Sequence, residues 1–177
     1  MKAVVRRYSV LLVVLAVLII ISLVNQSFGA AVADVTLAQL KEMLLVIPPI
    51  FILLGLLDVW VPKETMVKYM GEKSGIKGIL LAFLIGSAAA GPLYGAFPVA
   101  AVFMKKGVKF TNVLIFIGAW STTKIPMLLF EIASLGALFA LTRLLVDIVG
   151  IVIIARLLNT IISKQEVADL YTQAESL

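Results

Sequence analysis

Three ionisable residues stand where an apolar chain would be expected to exclude them. Lys124 follows Ser121, Thr122 and Thr123 and precedes Ile125-Pro126, within an apolar run that starts at Phe110. Counted as helix from Phe110, it lies about 21 Å along the axis, well inside a bilayer core of about 30 Å. An ammonium at that depth costs about 3 kcal/mol on insertion scales, so it faces a partner or a wet cavity. One chemistry open to it is attraction of an anionic solute beside the three hydroxyls; the others are snorkelling or pairing with Glu131 two turns on. Arg143 and Asp147, four residues apart in the apolar run 132–158, share one helix face and can pair. That pair reads either as a structural clamp or as a gating or coupling pair for transport.

A second set of candidates is defined by the backbone. Residues 86–107 read GSAAAGPLYGAFPVAAVFMKKG, so Gly91, Pro92, Gly95 and Pro98, with Tyr94 among them, interrupt a stretch otherwise apolar enough for lipid. Each proline lacks an N–H and clashes with the preceding helical turn. In lipid, backbone groups freed in this way are tolerated only where they are buried in protein or line a wet cavity. Residues 80–92, LLAFLIGSAAAGP, and 113–126, VLIFIGAWSTTKIP, share a plan: an apolar arm, a glycine, small or hydroxyl residues, then proline. Paired breaks of this kind point to a transporter site, because broken helix ends offer N–H groups to anions and carbonyls to cations. The alternative is two packed kinks, since small residues such as Ala88, Ala89 and Ala90 also let helices approach closely. The candidate substrate-binding set is Gly91, Pro92, Tyr94, Gly95, Pro98, Ser121, Thr122, Thr123 and Lys124, with Arg143 and Asp147 as the gating or coupling pair.

Composition sets the environment of these residues. The chain has 177 residues, 62% of them hydrophobic and 14% charged, and its mean hydropathy is +1.14. Those values lie far outside the soluble range and predict an all-α integral membrane protein. The net charge of +5 is dispersed between apolar runs, which argues against nucleic acid as a partner. With no Cys and no His, disulfides and thiolate sites are excluded, and a metal site would rest on carboxylates alone. No metal or cofactor is therefore expected. Nor is there a P-loop, nucleophile elbow or zinc motif, so an enzyme is not expected either.

The hydrophobic pattern predicts one membrane domain of about four transmembrane helices and a re-entrant hairpin. Residues 8–24 form the first span; the alternative is a signal sequence cleaved after Ala31-Val32-Ala33. A short polar connection carrying Asp34, Lys41 and Glu42 leads to a second span, 43–61, in which Pro48-Pro49 predicts a kink or a late helix start. Asp58 near its end reads as an intramembrane carboxylate or as an interfacial anchor beside Trp60. In the basic loop 62–78, Met66, Val67, Tyr69 and Met70 can share one face of a short surface helix. The arms of the broken stretch 79–104 are each too short to cross: residues 79–90 reach only about 18 Å as helix. The positive-inside rule puts Lys105, Lys106 and Lys109 on the same side as the lysines of 63–77, so the stretch dips in and returns. A broken span, 110–130, a last span, 132–158, and a polar tail, 165–177, complete the chain. On this topology twelve of the fifteen basic residues are cytoplasmic, as are both termini, and the bilayer is the cytoplasmic membrane.

Residues 91–101, GPLYGAFPVAA, run on to Lys105-Lys106-Gly107-Val108 and are followed by Phe116, Trp120-Ser121, Ile125-Pro126-Met127, Phe130-Glu131-Ile132, Phe139 and Arg143. This ordered string resembles the predicted permease family that includes the organoarsenical efflux permeases, over residues 78–158. The resemblance implies a secondary transporter moving a small solute, an anion or a metalloid-type compound. Full-length members resemble two such halves in one chain, which for a chain of half that length implies a homodimer or higher homo-oligomer. The resemblance also implies cysteine thiols for trivalent arsenic; this chain has none, so the permease class carries over and the cargo stays open. The alternative function is a non-transporting membrane subunit, or a channel, whose breaks serve packing and partner docking.

Overall fold

The computed structural model describes residues 2–89 and 91–176; Ala90 and the side chain of Asp58 lie outside the described residues. Two compact units divide the chain, residues 1–49 and 50–177. Among the described residues all regular structure is helical.

The first unit holds α1 (Lys2–Val24) and the start of α2 (Gln26–Trp60). Asn25 separates them and caps α2, its Oδ1 accepting from Phe28 N at 3.1 Å. The expected polar connection is helical: α2 runs through Asp34, Lys41 and Glu42. The alanines and long side chains around those charges favour helix, and isolated polar residues do not end one. Nor does the helix start late at Pro48, because both prolines lie inside α2. The boundary between the two units falls directly after Pro49.

In the second unit α3 (Lys63–Met70) is a short amphipathic helix that buries Met66 and Met70. Next, α4 (Gly75–Ala88) and α6 (Phe110–Thr122) run side by side in the same direction. At one end Asn112 Nδ2 donates to Met70 O at 2.8 Å and Ser74 Oγ at 3.2 Å. At the other, Ser87 Oγ and Thr123 Oγ1 lie 2.7 Å apart. The intervening chain therefore doubles back. It passes through a 3₁₀ turn, Leu93–Gly95, and α5 (Ala96–Lys105), then reaches the α3 end, where Lys106 Nζ donates to Val61 O at 2.7 Å. Pro98 does not break this arm. It sits in the first turn of α5, where the missing N–H has no helical partner in any case.

Close approach holds α4 on α6. A Cβ on Gly86 would lie 2.6 Å from Phe116 O and 2.8 Å from Ala119 Cβ. In lipid, where apolar burial gives little drive, such backbone proximity supplies the packing. Phe103 stacks near Phe116, with centroids 4.8 Å apart, and Phe116 meets Trp120 edge-on at 5.5 Å.

The chain then continues as α7 (Ile125–Leu135), turns at Gly136 with φ +91°, and returns as α8 (Ala137–Ile161). The last helix, α9 (Lys164–Glu175), is closed by a capping box between Ser163 and Glu166 and packs on α5. Among the described residues two stretches are long and apolar enough to cross a membrane, α6 with α7 at 26 residues and α8 at 25, and shorter apolar helices accompany them.

Candidate functional site at the paired helix breaks

Because α4 and α6 are parallel and similar in length, they end at one level. With 14 and 13 residues they rise about 20 Å from the α3 end, short of a bilayer core. Two helix C-termini thus point their last carbonyls at the same region, and each carries partial negative charge. Cationic and N–H donors are drawn there. Gly91, at φ +102°, turns the chain in a conformation that favours glycine. Its carbonyl accepts from Lys124 Nζ, the bond that joins the first break to the second. Trp120 Nε1 donates to Pro92 O at 3.2 Å and to Gly91 O at 3.4 Å. Thr123 Oγ1 donates to Ala119 O at 3.1 Å, which leaves it to accept from Ser87.

The second break follows from Pro126. In a continuous helix its N–H would bond the carbonyl four residues back, that of Thr122, and proline has no N–H to give. Arg143 Nη1 supplies the missing bond, donating to Thr122 O at 2.9 Å. The same Nη1 donates to Asp147 Oδ2 at 2.5 Å, and Nε donates to Glu131 Oε2 at 2.7 Å. A single guanidinium therefore ties α7, α8 and the end of α6 together. Its remaining nitrogen, Nη2, is buried without a hydrogen-bond partner among the described residues.

The anticipated residues are not all assembled in one place. Gly91, Pro92, Thr123 and Lys124 share the first set of contacts, while Thr122 joins the Arg143 and Asp147 set through its carbonyl. Gly95 is packed, since a Cβ there would lie 2.6 Å from Ile50 Cδ1. Tyr94 and Ser121 are exposed and stand outside both sets, and Pro98 is part of α5. Pairing of Arg143 with Asp147 is present, whereas Glu131 partners Arg143 and not Lys124. Glu131 is only 6% exposed, enclosed by the protein around it. The signal for it lay in the turn at Gly136: residues five before and seven after a helical reversal come face to face. Ser87 and Trp120 were also missed: Ser87 has no sequence mark beyond a polar atom in an apolar run, and Trp120 stood only in the family string. Among the described residues, no group of three or more His, Cys, Asp or Glu side chains gathers to hold a metal.

A family model described as a predicted permease matches residues 28–176, from the first turn of α2 to the end of α9. The chain belongs to the predicted permease family. No curated protein and no solved structure matches it. As a predicted permease it is a membrane protein, a transporter by class and not an enzyme, and its bilayer and a solute follow from that class. The family match takes in both breaks and the Arg143 network of this predicted permease, and leaves α1 outside.

Proposed function

We propose that the chain is a secondary transporter of the cytoplasmic membrane that carries a small solute, an anion or a metalloid-type compound, by alternating access. It works as a homodimer or higher homo-oligomer, with both termini cytoplasmic and residues 79–104 forming a re-entrant hairpin. The observation that carries this reading is the bond from Lys124 Nζ to Gly91 O, which joins two interrupted helices. An ammonium bound to one carbonyl is the group an anionic solute can recruit. As the anion arrives, the ammonium leaves Gly91, the bridge between the breaks opens, and the helices on either side become free to move.

The moving parts follow from the remaining contacts. Glu131, Arg143 and Asp147 hold α7 to α8, and the bond from Arg143 to Thr122 O ties that pair to α6. Releasing and remaking the Thr122 bond is the gating step. Side-chain exposures of 21% for Arg143 and 23% for Asp147 support a protein or water neighbour at this level, because hydrocarbon tails do not solvate such groups. A second copy of the chain meets that need.

One observation favours the alternative of a static subunit: the carbonyls of Gly91 and Thr122 already have partners within the chain. Reconstitution into liposomes with small anions, metalloid oxyanions and organic acids, with and without a proton gradient, separates the two. Saturable uptake of at least one compound is the expected result. Absence of uptake across the panel, together with stable capture of another membrane protein, overturns transport, and non-saturating conductance identifies a channel.

A further inference from the structure

We infer that an anionic phospholipid binds along the outer face of α4, its phosphate held by Lys73 and Lys77 and its acyl chain lying on Ile76, Leu80 and Leu84. The inference does not depend on what the protein transports. Helix α4 has two unlike faces. Gly78, Ala82 and Gly86 are buried, with Gly86 against α6, whereas Ile76, Leu80 and Leu84 recur every four residues on the opposite side and are 74%, 57% and 65% exposed. In a membrane protein an apolar stripe left open in this way is covered by lipid. At its end the stripe meets charge: Lys77 is one residue past Ile76, and Lys73 lies two residues before α4 begins.

The neighbouring ion pairs leave these cations available. Glu72 is taken by Lys109 at 3.0 Å and Glu175 by Lys63 at 3.9 Å. Lys73 and Lys77 are exposed and have no acidic partner within ion-pair distance among the described residues. Two cations at the head of an exposed apolar stripe match a negatively charged headgroup with its tail. A zwitterionic lipid, whose choline would meet the same lysines, fits less well.

The test is thermal unfolding of the purified full chain in mixed micelles of detergent with phosphatidylglycerol or with phosphatidylcholine. The unfolding midpoint is expected to rise with phosphatidylglycerol and to move little with phosphatidylcholine. The exposed-site variants Lys73→Gln and Lys77→Gln are each expected to weaken the phosphatidylglycerol response about fivefold, the scale for one lysine at a charged membrane surface. Lys164→Gln, on α9, is expected to leave it unchanged. An equal loss in Lys164→Gln would make the effect one of overall charge and overturn the site. Displacement by millimolar inorganic phosphate would mean that the headgroup alone is recognised, and would overturn lipid binding. Disulfide-linked dimers through Leu84→Cys would place a second copy on the stripe, which also overturns it.

Discussion

At the scale of single residues the Arg143 network bears most directly on stability. Glu131 is the more buried of its two carboxylates, with a side-chain exposure of 8% against 23% for Asp147. Removing Glu131 leaves Arg143 paired with Asp147 but its Nε buried without an acceptor, at a cost of about 2 kcal/mol. Glu131→Ala is therefore expected to lower the unfolding midpoint more than Asp147→Ala does, and thermal denaturation of the two variants in the same detergent checks the order. The spacing of Arg143 and Asp147 was readable in the sequence because a helix brings positions four apart together. Glu131 was not, because its contact forms only after Gly136 reverses the chain. Lys124 was recognised as a charge within an apolar run while its partner was missed. A backbone carbonyl such as that of Gly91 carries no residue-type signal.

Whole elements lend themselves to two further experiments. Pro126→Ala restores an N–H that can bond Thr122 O, displacing Arg143 and making α6 and α7 one helix. If that break is a moving joint, solute uptake falls about tenfold, the scale of one charge-assisted hydrogen bond, while the unfolding midpoint holds or rises. Helix α9 is a different case, since it docks through Tyr171, whose hydroxyl donates to Val108 O. Burial, with a smaller contribution from the charge of Glu72, pushes the Tyr171 phenol up from 10.0 to about 12. The sign follows directly. Below pH 10 folded and unfolded chains both keep the proton and the docking contribution is complete; from pH 10 to about 12 the unfolded chain ionises first and that contribution is lost. Tyr171→Phe should abolish this alkaline loss, and unfolding followed against pH would reveal it. Both helix breaks were legible in the sequence because glycine and proline act locally. Continuity of α2 through residues 26–42 and through Pro48-Pro49 was not, because hydropathy marks where lipid fits and not where a helix ends.

At the scale of the molecule, the helical class and the permease family follow from composition and from the string running from Gly91 to Arg143. Membrane topology and assembly are the open structural claims. Helix α5 returns to the end where α3 lies, so Lys68→Cys and Lys105→Cys should react with an impermeant thiol reagent from the same side of the membrane. Opposite labelling would replace the hairpin with a full crossing. In nanodiscs, the particle mass should correspond to two or more copies. The central claim is that a solute binds where Lys124 joins the two breaks, and saturable uptake into liposomes, compared between the natural chain and Lys124→Met, tests it most directly. The account predicts that the natural chain takes up at least one anion or metalloid compound saturably, and that Lys124→Met, folded to the same thermal midpoint, loses that uptake about tenfold or more. Equal uptake by both proteins would contradict it.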